Sequence, residues 1–132
     1  MLFVLATDSV RTSDVLCSYL RECLDADDEV HAVNSKPGGD STDADEIRAG
    51  EDALEVVEEN LRGVVRVETH QYVRGNDPVE DVLGHAEEVG ADELVMGIRK
   101  RNPTAKIVFG SVAQDLLLRA NLPMRVVPRE SV

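Results

Sequence analysis

The sequence has no tryptophan, and aromatic residues amount to only 3% of the chain. A core of stacked rings is therefore excluded. Hydrophobic residues still make up 42%, so the core must be built from Val, Leu, Ile and Ala. Aliphatic cores of that kind suit parallel strands buried on both faces by helices. Long hydrophobic runs are also missing, which excludes a membrane-spanning helix. The apolar start, residues 1–7, is too short for a secretory signal and has no basic leader. Cysteine is scarce: Cys17 and Cys23 stand six apart within one helical pattern. Helical rotation carries the second side chain well away from the first, so no disulfide or metal pair is expected. The chain accordingly reads as reduced and cytoplasmic.

Positive charge is scarce as well. There are 26 acids against 14 bases, for a net charge of −12, and the lysines are Lys36, Lys100 and Lys106 alone. Acids gather at residues 25–29, 40–46 and 51–59, interleaved with apolar residues, and such runs are ordinarily solvated faces. This balance argues against nucleic acid or an anionic membrane as a partner. An acidic, lysine-poor surface also suits the high-salt cytosol of a halophile, where screening removes its self-repulsion.

What is present is an alternation. Residues 2–7 form an apolar run of strand length, and Thr12-Ser13 offers a cap for a first helix whose apolar face is Val15, Leu16, Tyr19, Leu20 and Cys23. Residues 30–34 read as a second strand, followed by a Pro-Gly-Gly loop at 36–40. A second helix spans 43–61, with Ile47, Leu54, Val57 and Leu61 in a stripe on which Gly50 costs about 1 kcal/mol relative to Ala. Residues 65–73 alternate apolar or neutral with charged or polar side chains, as an edge strand does. Asp77-Pro78 starts a third helix, which Gly90 can end. A short buried strand at 93–97, a last helix at 111–120 with Ala113, Leu116, Leu117 and Ala120 facing inward, and a final strand at 124–127 complete the chain. The order β-α-β-α-β-α-β-α-β predicts an α/β fold, a parallel sheet with helices on both faces, in a single domain over 1–132.

Ligands of such sheets bind at the carboxyl ends of the strands, where the strand order reverses. Thr7-Asp8-Ser9 follows the first strand there, and the long segment 97–111 follows the fourth. That segment carries Arg99, Lys100, Arg101 and Lys106, with no acid between Glu93 and Asp115, and ends in Gly110-Ser111 at a helix start. Free backbone N–H groups and the positive end of a helix attract anions. Together these features point to an anionic ligand, most simply a nucleotide phosphate. Taken singly, each has an ordinary structural reading: Ser111 and Asp8 as caps, and the bases as partners of acidic neighbours.

At these residues the sequence resembles the universal stress protein family, whose fourth strand is followed by Gly-x-x-Gly, nine residues, then Gly-Ser/Thr. Here Gly97, Lys100 and Gly110-Ser111 keep the spacing, with Lys100 in place of the second glycine. The resemblance extends to Thr7-Asp8-Ser9, to the Gly75-Asn76-Asp77-Pro78 helix entry and to Leu122-Pro123 before a Val-rich strand. It implies a Rossmann-like five-stranded sheet in the order 3-2-1-4-5 and a homodimer formed through the last strand. It further implies an ATP-binding regulatory module of the stress response. Ala6, Thr7, Asp8 and Val33 would meet adenine, ribose or metal-bridged phosphate, while Met96, Gly97, Gly110, Ser111 and Val112 would hold ribose and phosphates. Asp8 would touch a metal only through nucleotide-bound Mg2+. Lysine neither approaches phosphate as glycine does nor adopts positive φ readily, yet its ammonium can supply charge. Lys100 therefore permits either an altered nucleotide site or a dimeric scaffold that binds no nucleotide and contacts a partner through its basic loop.

Other chemistry is not apparent. His31, His70 and His85 make no zinc-ligand spacing along the chain, and His85 with Glu88 reads as two exposed neighbours on a helical turn. There is no nucleophile elbow and no Walker loop. Without a base poised by a partner, no fast enzyme is expected, and at most slow ATP hydrolysis remains open.

Overall fold

The computed structural model describes residues 1–36, 42–73, 77–99 and 111–129. The Pro-Gly-Gly segment, Gly75-Asn76, Lys100 and Gly110 lie outside these residues. The elements are β1 (Leu2–Ala6), α1 (Val10–Cys23), β2 (Glu29–Lys36), α2 (Ala44–Leu61), β3 (Arg66–Val73), α3 (Pro78–Val89), β4 (Glu93–Arg99), α4 (Ser111–Arg119) and β5 (Met124–Arg129). All four strand pairings are parallel, and the sheet order is β3-β2-β1-β4-β5. Fold class and the edge position of β3 are thus as the sequence predicts, and the strand order is the one the resemblance implies.

Alternation along β1 divides the core. Phe3 and Leu5 pack with Leu16, Cys17 and Leu20 of α1 and with Leu54, Val57 and Leu61 of α2. Val4 turns to the opposite face, where Val33, Leu94 and Met96 meet Val79, Val82 and Ala86 of α3 and Leu116 of α4. Both faces of the central strand β1 are buried, which is why it reads as a continuous apolar run.

Local signals fix several helix ends. Asp77 caps α3 by accepting from the Val79 N–H, Pro78 occupies the first turn, and Gly90 closes the helix in the left-handed region at φ 69°. That conformation is strained for residues with a Cβ. Asp43 caps α2 through the Glu46 N–H.

Other expectations are corrected. Ser9, not Thr12-Ser13, caps α1, accepting from the Thr12 N–H; Thr12 and Ser13 lie inside the helix on its buried side. That side also holds Cys17, whereas Cys23 and Tyr19 reach the surface. In α4, Leu117 is exposed rather than inward, and Leu118 is exposed at 75%. Gly50 makes room for the amides of β2 and β3: a Cβ there would fall directly on Asn34 Oδ1 and 2.5 Å from Gln71 Nε2, so these side chains would have to shift. The histidines are not scattered. β2, β3 and α3 bring His31, His70 and His85 together, and His85 is buried at 4% exposure instead of solvated. Among the described residues, no helix is long and apolar enough to cross a membrane.

Candidate functional site

The strand order reverses at β1, whose neighbours β2 and β4 lead to opposite edges of the sheet. The crevice between the carboxyl ends of β1 and β4 is therefore the expected ligand position. Residues 7–9 descend from β1 into α1, and β4 ends at Arg99.

Thr7 is the hub of the β1 side. Its N–H donates to the Val33 carbonyl at 3.1 Å, and its own carbonyl accepts from Asn34 Nδ2 at 2.9 Å. Ser13 Oγ donates to the Ala53 carbonyl at 2.7 Å. Ser13 Oγ also pairs with Thr7 Oγ1 at 2.7 Å, and Thr7 Oγ1 lies 3.2 Å from the Ser9 carbonyl, to which it can donate. Asn34 Oδ1 in turn accepts from Gln71 Nε2 at 3.1 Å, which also donates to the Ile47 carbonyl at 2.9 Å. This chain of neutral groups ties β1, α1, α2, β2 and β3 together and holds the strand end rigid.

The candidate residues divide by what their side chains do. Val33 and Met96 are core residues, at 1% and 3% exposure, so only their backbone is open to a role at the crevice. Thr7 is buried and its polar atoms are engaged. Ala6 is the last residue of β1, half-buried, and Asp8 just beyond it is exposed. Gly97 lies within β4, where an added Cβ would meet Thr12 Cγ2 at 3.5 Å and the Val127 carbonyl at 3.6 Å. Those are ordinary contacts, so the fold alone does not demand glycine there. Ser111 opens α4 and Val112 is exposed in its first turn.

Sequence reasoning missed Ser13, Asn34 and Gln71. Their signal was polar residues at positions that strand or helix periodicity assigns to the interior.

The family model for the universal stress protein family matches residues 3–128. The chain belongs to that family. A universal stress protein of Mycolicibacterium smegmatis is 37% identical over 109 residues, covering 82% of each chain. Among solved structures, a universal stress protein from Archaeoglobus fulgidus is 36% identical with a TM-score of 0.79, covering 96% of this chain and 98% of that one. The universal stress protein from Archaeoglobus fulgidus in complex with dAMP is 29% identical with a TM-score of 0.74, covering 96% and 97%. The family's Rossmann-like α/β architecture is the one described above.

Proposed function

We propose that this protein is an adenine-nucleotide-binding regulatory module of the stress response, taking ATP in the crevice between β1 and β4. The observation that carries the reading is the likeness, over nearly the whole chain, to a universal stress protein in complex with dAMP. Its placement agrees with the strand reversal at β1 and with the acid-free basic stretch that follows β4.

In this reading the engaged Thr7 and buried Val33 shape the crevice, and exposed Asp8 meets the phosphates through Mg2+. Gly97 leaves room at the β4 side, Gly110, Ser111 and Val112 offer the amides of a helix start, and Lys100 supplies charge where the family has glycine. With no activated nucleophile in this set, the nucleotide acts as a signal, and hydrolysis is slow at most. Its output passes through a homodimer joined along β5, one of the two sheet edges.

The test is thermal unfolding with and without Mg-ATP in high-salt buffer. Ligand at 100 times its Kd adds about 2.7 kcal/mol, and Asp8→Ala and Gly110→Val should abolish the shift. Unchanged binding in both variants would refute the site.

Lys100 favours one other reading, a dimeric scaffold that binds no nucleotide. Its signature is a stable dimer whose melting temperature no nucleotide alters.

A further inference from the structure

On the sheet face covered by α3, parallel register sets His31 opposite Glu68 and Val33 opposite His70. Side chains at 29, 31 and 35 of β2 therefore share that face with 68, 70 and 72 of β3. α3 lies over it and contributes His85. One ring nitrogen of each histidine lies within 4.8 Å of the other two.

The contacts define how these nitrogens are disposed. His31 Nδ1 is 3.2 Å from His85 Nε2, close to the roughly 3.3 Å edge of a tetrahedron with Zn–N bonds of about 2.0–2.1 Å. In His31 and His85 the opposite ring nitrogen has its own partner. His31 Nε2 faces Glu29 Oε2 at 3.0 Å and Glu68 Oε2 at 3.2 Å, so it carries the ring proton and leaves Nδ1 its lone pair. His85 Nδ1 lies 2.7 Å from the Tyr72 hydroxyl; donating to that oxygen leaves the Nε2 lone pair turned toward His31. His70 Nε2 is buried with no hydrogen-bond partner among the described residues, and its approach to Glu68 Oε1 is 3.9 Å. Imidazoles held from behind by a carboxylate or hydroxyl, with lone pairs converging, are the usual arrangement of metal-binding histidines.

We infer that His31, His70 and His85 form a binding site for one borderline-soft divalent cation of the Zn2+ class. Three imidazoles select such ions over Mg2+ and Ca2+, which take oxygen donors. Glu29 and Glu68 balance the ion's charge, and the Glu68 side chain, 51% exposed, with that of His70, 35% exposed, gives an entry from the β3 edge. The site lies between β2 and β3 beneath α3, away from the β1–β4 crevice, so it stands or falls independently of nucleotide binding.

The test is a titration of tag-free, chelator-stripped protein with ZnCl2, followed by calorimetry and melting, and with CoCl2, followed by visible absorption. The expected result is one equivalent bound, a raised melting temperature and the intense spectrum of four-coordinate Co2+ with nitrogen and oxygen donors. His70→Gln, half-exposed and therefore tolerant, should weaken Zn2+ binding about tenfold or more. Tyr72→Phe, which only removes a contact behind His85, should weaken it about tenfold. The Cys17→Ser, Cys23→Ser protein should keep both signals. Absence of Zn2+ binding by the parent, undiminished binding by folded His70→Gln, or a thiolate-to-cobalt band lost in the cysteine variant would each overturn the inference.

Discussion

The same two strands, β2 and β3, carry polar clusters on both faces, and the clusters are of opposite kinds. Toward α2, Asn34 and Gln71 are neutral amides whose hydrogen bonds run to Thr7, Ile47 and each other, so that face is closed. Toward α3, His31, His70 and His85 are titratable rings with carboxylates behind them and an unpartnered nitrogen among them. Burial, then the neighbouring His70 and His31 rings, pushes the His85 imidazole below its ordinary pKa, with Glu88 and Glu68 opposing. Neutral imidazole is the form that binds metal. A saturated neutral network serves the fold, whereas a converging set of lone pairs with one unmet is suited to a ligand.

The closed amide face is most sensitive at Gly50. Gly50→Ala installs the better helix former, yet its Cβ would collide with Asn34 and Gln71. Stability should fall by about 1–3 kcal/mol, read as a lower denaturant midpoint; a gain in stability would mean that the amide network yields freely. Ser13→Ala comes next. It removes the hydroxyl that links Thr7 Oγ1 to the Ala53 carbonyl, while Thr7 Oγ1 keeps the Ser9 carbonyl at 3.2 Å and Ala53 keeps its place within α2, so the loss should be about 0.5–1.5 kcal/mol in the same assay. On the other face, His70→Leu in metal-stripped protein should be neutral or stabilising by up to about 1 kcal/mol, because it removes an unsatisfied buried nitrogen. A loss as large as that of Ser13→Ala would show the histidine cluster to be structural too. The smallest effect is chemical. Desolvation pushes the Cys17 thiol up to about 11, so alkylation of native protein at pH 8 should label exposed Cys23 and spare Cys17, as mass spectrometry of the digest would report.

The features legible in the sequence were those with local causes. Asp77-Pro78 and Gly90 bound α3 through chemistry confined to a few residues, and the alternation of β3 placed it at an edge. Thr12-Ser13 misled because Ser9 satisfies the same capping rule and Ser13 is recruited to Thr7 instead. Gly50 looked merely weak because its reason, Asn34 and Gln71, lies on two other elements. His31 and His85 are 54 residues apart in the chain; only the β2–β3 register and the seating of α3 join them, and linear metal spacings do not sample that. At the crevice the sequence located the strand ends, but it did not separate side chains committed to the core, as in Val33 and Met96, from those facing outward, as in Asp8.

On the reading proposed above, nucleotide enters the β1–β4 crevice and not the histidine face. Backbone amide chemical shifts, followed by 15N NMR during titration with Mg-ATP, test it most directly. The amides of Ala6, Thr7, Asp8, Gly97, Gly110, Ser111 and Val112 should shift, with His31, His70 and His85 unmoved. Perturbations confined to the histidines, or none at saturating ligand, would contradict it.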